Sequence, residues 1–224
     1  MITNTGWNNY NIWEHSSTVK ELYKKRCLLE IEEMVSHAQA IELLAPHINN
    51  GDTLLDVGCG SGYFYHSIKS RNIPVEYFGI DATDSLINIG KDVLPEFGLS
   101  PERLQTIRIE DMDGEMDHVV CINVLSNLDN FHRPLERMLL NARKTVILRE
   151  SFQDLAEYHY VTDKYLDKNL KVHVNTYPRT EVKDFFKEYG FEAEFVLDKY
   201  TSGQPQSVID YPHYWEFVVA KKNK

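Results

Sequence analysis

Residues 53–65 read TLLDVGCGSGYFY. An apolar run ends in an acid, and three glycines, Gly58, Gly60 and Gly62, then alternate with small residues. Glycine loses more backbone entropy on folding than any other residue, so such a cluster marks a sharp bend or a close approach. The run before it suits a short buried strand, and SGYFYHSIKSR after it suits a helix. A strand that passes into a helix through glycines points to an open α/β sheet, whose ligands bind beyond the carboxyl ends of the strands.

The following residues continue the alternation. VEYFGID reads as a strand and SLINIGKDVL as a helix capped by Asp84 or Ser85. LQTIRIED and DHVVCINVL read as strands, HRPLERMLLNA as a helix with Pro134 near its first turn, and KTVILRE as a strand. Near-continuous apolar strands separated by helices predict a parallel sheet covered on both faces. Upstream, Val19, Leu22, Leu28, Leu29 and Ile31 lie among charges and predict an amphipathic helix from Ser17 to Met34. HAQAIELLAPHI predicts a second helix, with Ser36 as its cap and Pro46 as its stop. Beyond residue 150 the pattern changes. Residues 152–178 are rich in tyrosine and histidine and have no clear period. EVKDFFKEYG reads as a helix ended by Gly190, and FEAEFVLDKY and HYWEFVVAKK as a closing antiparallel pair. The expectation is a single domain over residues 1–224. It has a helical cap at 1–48, a cofactor-binding half at 49–150 and an acceptor-side half at 151–224.

The balance of charge narrows the partners. The chain has 34 acidic and 24 basic residues, a net −10. That disfavours a nucleic-acid groove or an anionic membrane as partner. Cys27, Cys59 and Cys121 form no CxxC pair, so a disulfide framework is not expected and a reducing compartment is. The polar, aromatic N-terminus does not read as a signal peptide, and no apolar run approaches the ~18 residues of a membrane span. The expectation is a cytoplasmic protein. No compact metal-ligand spacing occurs, so no metal is expected.

Asp81 ends the second predicted strand, 21 residues after Gly60. An acid there accepts hydrogen bonds from ribose hydroxyls. IEDMD ends the third strand, where an acid and a backbone amide read an adenine edge. Tyr63 stands where a dinucleotide fingerprint carries its third glycine, which argues against a dinucleotide and a dehydrogenase. Taken in order, LLDVGCGSGYF, GIDAT, IEDMD and DHVVCINVLSNL make the chain resemble the class I S-adenosylmethionine-dependent methyltransferases. The resemblance implies a doubly wound, mostly parallel seven-stranded sheet with the last strand antiparallel. It implies S-adenosylmethionine as cofactor. It also implies that Asp56, Gly58, Cys59 and Gly60 border the methionine moiety, that Asp81 holds the ribose, and that Ala82 lies on the adenine. By the same resemblance Asp111 accepts from the adenine amine, Met112 offers its amide, and Asn123 sits beneath the methionine amine and the methyl. The N-terminal helix is expected either to pack over the sheet edge or to serve as a lid, with Arg26 near the cofactor carboxylate.

The acceptor is expected under a roof built from residues 152–178, the 199–213 loop and the N-terminal segment. A hydroxyl acceptor needs a base, and histidine is poised for that near neutral pH. The alternation of KVHVNTY ranks His173 first, followed by His159 and His213. Arg149 is expected to pair with a carboxylate or phosphate of the acceptor, and Tyr158, Asn175 and Tyr177 to bind it. The expected reaction is O-methylation of a small polar metabolite such as a sugar or nucleotide-linked sugar. N-methylation, a protein or nucleic-acid substrate, and a non-catalytic cofactor-binding subunit are the alternatives. A homodimer stays open.

Overall fold

The strand before the glycines, β1 (Asp52–Val57), takes the middle of the sheet. The computed structural model describes residues 10–166 and 169–223, so the start of the expected cap and residues 167–168 of the expected roof lie outside the described residues. On one side of β1 come β2 (Val75–Asp81) and β3 (Leu104–Thr106). On the other come β4 (Met116–Ile122) and β5 (Ala142–Gln153). All of these neighbours pair in parallel. Beyond β5 lies the last strand, β12 (Trp215–Lys222), antiparallel both to β5 and to β9 (Phe191–Leu197) at the edge. The expected seven-stranded sheet is therefore present, and β8 (Tyr177–Pro178) adds a short parallel pairing at the end of β5. Strand order reverses between β1 and β4, which opens a crevice above their carboxyl ends.

The central strands are apolar on both faces because both faces are covered. In β4, Val119 packs into one core with Met138, Leu148 and Phe186, while the next residue, Val120, packs into the other with Leu44, Leu54 and Ile147. The helices supply the outer halves of these cores. They are α1 (Ile12–His15), α2 (Ser17–Cys27), α3 (Val35–Leu44), α4 (Phe64–Ser70), α5 (Asp84–Val93), α6 (His132–Asn141) and α7 (Arg179–Glu188). Ser16 starts α2 by accepting the Val19 N–H at 3.2 Å. Among the described residues no helix is long and apolar enough to cross a membrane.

Three local expectations change. The first amphipathic helix stops at Cys27 and not at Met34, and Leu29 takes a left-handed φ of 59° that a continuing helix forbids. Ser36 lies inside α3, with no side-chain cap bond at the Met34 N-cap. The run LQTIRIED yields only the three residues of β3, followed by a 3-10 turn at Ile109–Asp111.

The irregular segments close over the crevice. β6 (Tyr160–Thr162) and β7 (Lys171–His173) form one hairpin, and β10 (Gln206–Val208) and β11 (Tyr211–His213) another. Ile12, Leu170, Val172 and Val174 form a small separate core, with Val208 and Ile209 packed against it. Apolar burial thus ties the N-terminal helix and both hairpins into one roof.

Candidate active site

The glycine loop is held by the strand next to it. The N–H groups of Gly58 and Cys59 both donate to the Ile80 carbonyl, at 2.8 and 3.0 Å. Gly60 N–H donates to Asp81 Oδ2 at 2.8 Å, and Thr83 N–H to Asp81 Oδ1 at 2.8 Å. Gly58 and Gly60 have φ of 69° and 57°. Close approach adds to the requirement for glycine. A Cβ on Gly58 would lie 2.3 Å from Val124, and one on Gly60 would lie 2.1 Å from the Tyr23 ring. These two glycines therefore admit two of the chain's own side chains, Val124 and Tyr23. Beneath the loop, Asp56 accepts from Tyr77 Oη at 2.8 Å, and burial pushes its pKa up to about 7. Burial also raises Asp81, against the pull of its two amide donors.

Above this floor lies a cavity of about 690 Å³. Asp56, Gly58, Cys59, Asp81, Ala82, Asn123 and Arg26 all reach its wall, as do His173 and His213. Arg26 donates to Tyr63 Oη at 2.9 Å, and its Nε is buried without a partner among the described residues. His37 stacks on Tyr63 at 4.8 Å, and burial lowers its pKa to about 3. Burial lowers His213 to about 4, and its Nδ1 has no hydrogen-bond partner among the described residues. Burial also lowers His173, with Asp129 acting in the opposite direction.

Several expected residues stand elsewhere. Gly60 lies under the Tyr23 ring and off the cavity wall. Asp111, at the end of its 3-10 turn, is exposed and does not line the cavity. Met112 is a core residue whose N–H already donates to Ile109 O at 3.2 Å. Ile109 and Glu110 line the wall in their place. His159 stacks on Tyr211 at 4.0 Å and does not reach the cavity. Arg149 is only 3% exposed, and its Nε donates to Asp198 Oδ1 at 2.7 Å. Its Nη1 donates to Asn123 Oδ1, and its guanidinium lies 4.5 Å over the Trp215 ring. A buried guanidinium needs its charge answered inside the protein, and Asp198 answers it, so none is left for an acceptor. Tyr158 is half exposed and meets Tyr177 edge-on. Asn175 and Tyr177 are fully buried; they donate to Leu128 O at 2.6 Å and Leu125 O at 2.5 Å. Both satisfy backbone carbonyls of the loop after β4 instead of binding a ligand.

The sequence reading passed over other wall residues. Tyr23 and Trp215 also line the cavity. Leu166, Val172, Val174, Val208 and Ile209 make the roof interior mainly apolar, whereas tyrosines had been expected there. Glu150 is fully buried, and its carboxylate accepts the N–H groups of Val124, Leu125 and Ser126 at 2.7, 2.8 and 3.0 Å. It thereby holds the turn that carries Asn123 to the cavity.

A family model described as "Methyltransferase domain" matches residues 31–194. Among curated proteins, a tRNA (guanine-N(7)-)-methyltransferase of Clostridium acetobutylicum is 24% identical over 165 residues, 72% of this chain and 73% of its own length. A protein of that name from Clostridium botulinum is 28% identical over 154 residues, 66% of this chain and 67% of its own. Among solved structures, a magnesium protoporphyrin IX methyltransferase of Synechocystis with bound S-adenosylmethionine has a TM-score of 0.63 at 14% identity, covering 96% of each chain. An S-adenosylmethionine-dependent methyltransferase of Clostridium acetobutylicum has a TM-score of 0.62 at 11% identity, covering 92% of this chain and 98% of its own. These two structures share the fold.

Proposed function

We propose that this chain, which belongs to the methyltransferase-domain family and is an S-adenosylmethionine-dependent enzyme, methylates a hydroxyl of a small molecule enclosed in the roofed cavity. The residues present suit the cofactor. Arg26 Nε, buried and without a partner among the described residues, suits the methionine carboxylate. The Asp81 carboxylate keeps lone pairs for the ribose beyond those used by its two amide donors. Glu110 and the 3-10 turn around it suit the adenine edge. Bound there, S-adenosylmethionine supplies an electrophilic methyl group on sulfur.

The chain's own part is to position the acceptor and take its proton. The roof excludes water and holds the acceptor against the floor, which converts an encounter into a geometry. His173 accepts the hydroxyl proton. It stands on a strand, in the wall of the same cavity as Asp81, and that shared cavity is the observation that carries this reading. Asp129 favours the imidazolium that results. His213, kept neutral by burial, serves as a fixed hydrogen-bond acceptor. The apolar roof supports an acceptor with an apolar body, in place of the sugar expected from the tyrosines. To test this, S-adenosylmethionine with an isotopically labelled methyl is incubated with the enzyme and a metabolite extract, and the labelled product is identified by mass spectrometry. With that acceptor in hand, His173→Ala is expected to cut turnover by roughly 10²–10⁴-fold at unchanged cofactor affinity. Full activity in that variant refutes the base assignment.

The names of the curated relatives favour tRNA as a second reading. The net charge of −10 and the roof across the crevice speak against it. Retention on heparin at low salt, with label transferred to RNA, would decide for it.

A further inference from the structure

Asp163 follows β6, and its N–H donates to Leu170 O at 3.1 Å across the hairpin. The residue is 6% exposed and lines the cavity. Its Oδ1 accepts the Tyr165 N–H at 2.9 Å. An asparagine would serve that turn equally well, so the turn does not explain the charge. No cation pairs with it among the described residues. Lys164 pairs with Asp210, and Lys171 lies 5.3 Å over the ring of Tyr160. A carboxylate withdrawn from water is costly unless a counter-charge meets it.

The rest of the acceptor end carries the same sign. Asp129 is the other acid there. The cations on the described wall are Arg26, which bonds Tyr63, and Arg108, which bonds Glu110 at the adenine end. Arg149 stands behind Asn123 and Trp215 with its charge met by Asp198. The wall also includes Trp13, and a tryptophan face attracts cations. His213 is on the wall too, and its Nδ1 has no hydrogen-bond partner among the described residues. Among the described residues an anionic acceptor would meet two carboxylates and no free guanidinium.

Resting on the reading of a small acceptor in this cavity, we infer that the acceptor carries a cationic nitrogen, held by the Asp163 carboxylate beside the apolar roof. The methylated hydroxyl and the cationic nitrogen are then two groups of one molecule, recognised at separate places.

The test uses the full chain saturated with S-adenosylhomocysteine. The probes are matched triplets of hydroxylated aromatic and aliphatic fragments, each body bearing an ammonium, a neutral or a carboxylate head. Binding is read by ligand-observed NMR and calorimetry. The ammonium member is expected to bind about 10- to 100-fold more tightly than its neutral partner, as a hydrogen bond to a charged group allows. Asp163→Asn, which keeps the oxygen that Tyr165 uses, is expected to abolish that preference at an unchanged unfolding midpoint. Asp129→Asn provides a second reading of the same field. The inference is overturned if neutral or carboxylate members bind as well as the ammonium ones, if no ammonium member binds, or if the preference survives in Asp163→Asn. Turnover of the bound probes separates the two claims. An ammonium preference with transfer to nitrogen keeps the cation site and overturns the hydroxyl reading. O-methylation without charge preference does the reverse.

Discussion

Replacing Glu150 by glutamine tests how the wall of the site is held. The carboxylate is 0% exposed and accepts three backbone N–H groups from the turn after β4. Burial pushes its pKa from the ordinary 4.5 up to about 7, against the pull of those three amides. The sign follows from linkage. An acid whose folded-state pKa lies above its unfolded value favours folding fully below the unfolded value, and loses that contribution as pH rises through the folded one. The window therefore runs from about 4.5 to about 7. At ~1.4 kcal/mol per tenfold change in proton affinity, ionising this group removes ~3 kcal/mol across that window. Glutamine does not titrate. Its single oxygen also leaves one of the three N–H groups, that of Ser126, facing an amide N–H₂, a pH-independent loss of ~1–3 kcal/mol. The variant is therefore expected to be less stable than wild type near pH 5 and to recover ~3 kcal/mol relative to it by pH 8. Asp56 titrates near the same pH in both proteins and cancels in the difference. Urea unfolding at several pH values from about 5 to 8 gives the two curves. Parallel curves would refute the argument, because they would mean that Glu150 titrates alike in the folded and unfolded chains.

Three further changes probe separate parts of the site. Arg149→Met leaves Asp198 buried without its cation and is expected to destabilise by about 3–5 kcal/mol in urea unfolding; adding Asp198→Asn should restore much of this, and no restoration would show that the pair is not the cause. Gly60→Ala forces a side chain at φ of 57° into the Tyr23 ring and is expected to weaken S-adenosylhomocysteine binding at least ~10-fold by calorimetry. Adding Tyr23→Ala should recover the part due to the clash, and an unchanged double variant would refute that contact. Asp81→Asn removes an ionised acceptor and is expected to weaken the same ligand by ~10- to 100-fold, whereas an unchanged dissociation constant would place the ribose elsewhere.

The chain's local chemistry determined the architecture. Strands of about six residues with both faces apolar admit only a sheet covered on both sides, and glycines at positive φ after β1 admit only a tight turn toward its carboxyl end. From these, Asp56, Asp81 and Asn123 fall at strand ends whatever the packing, and all three line the cavity. The roof was not legible in this way. Its strands are two or three residues long, too short for a period to show which side chain faces inward, and a slip of one residue exchanges the faces. Tyr158, Asn175 and Tyr177 were read as ligand contacts because they are polar and clustered. Only the folded chain shows that Asn175 and Tyr177 satisfy carbonyls of the loop after β4, and that Tyr158 packs outside. The same holds for Arg149. Its partner Asp198 lies 49 residues further on, joined to it by the placing of β12 between β5 and β9. No local pattern encodes that pairing, because a buried charge is matched by whatever the topology brings beside it.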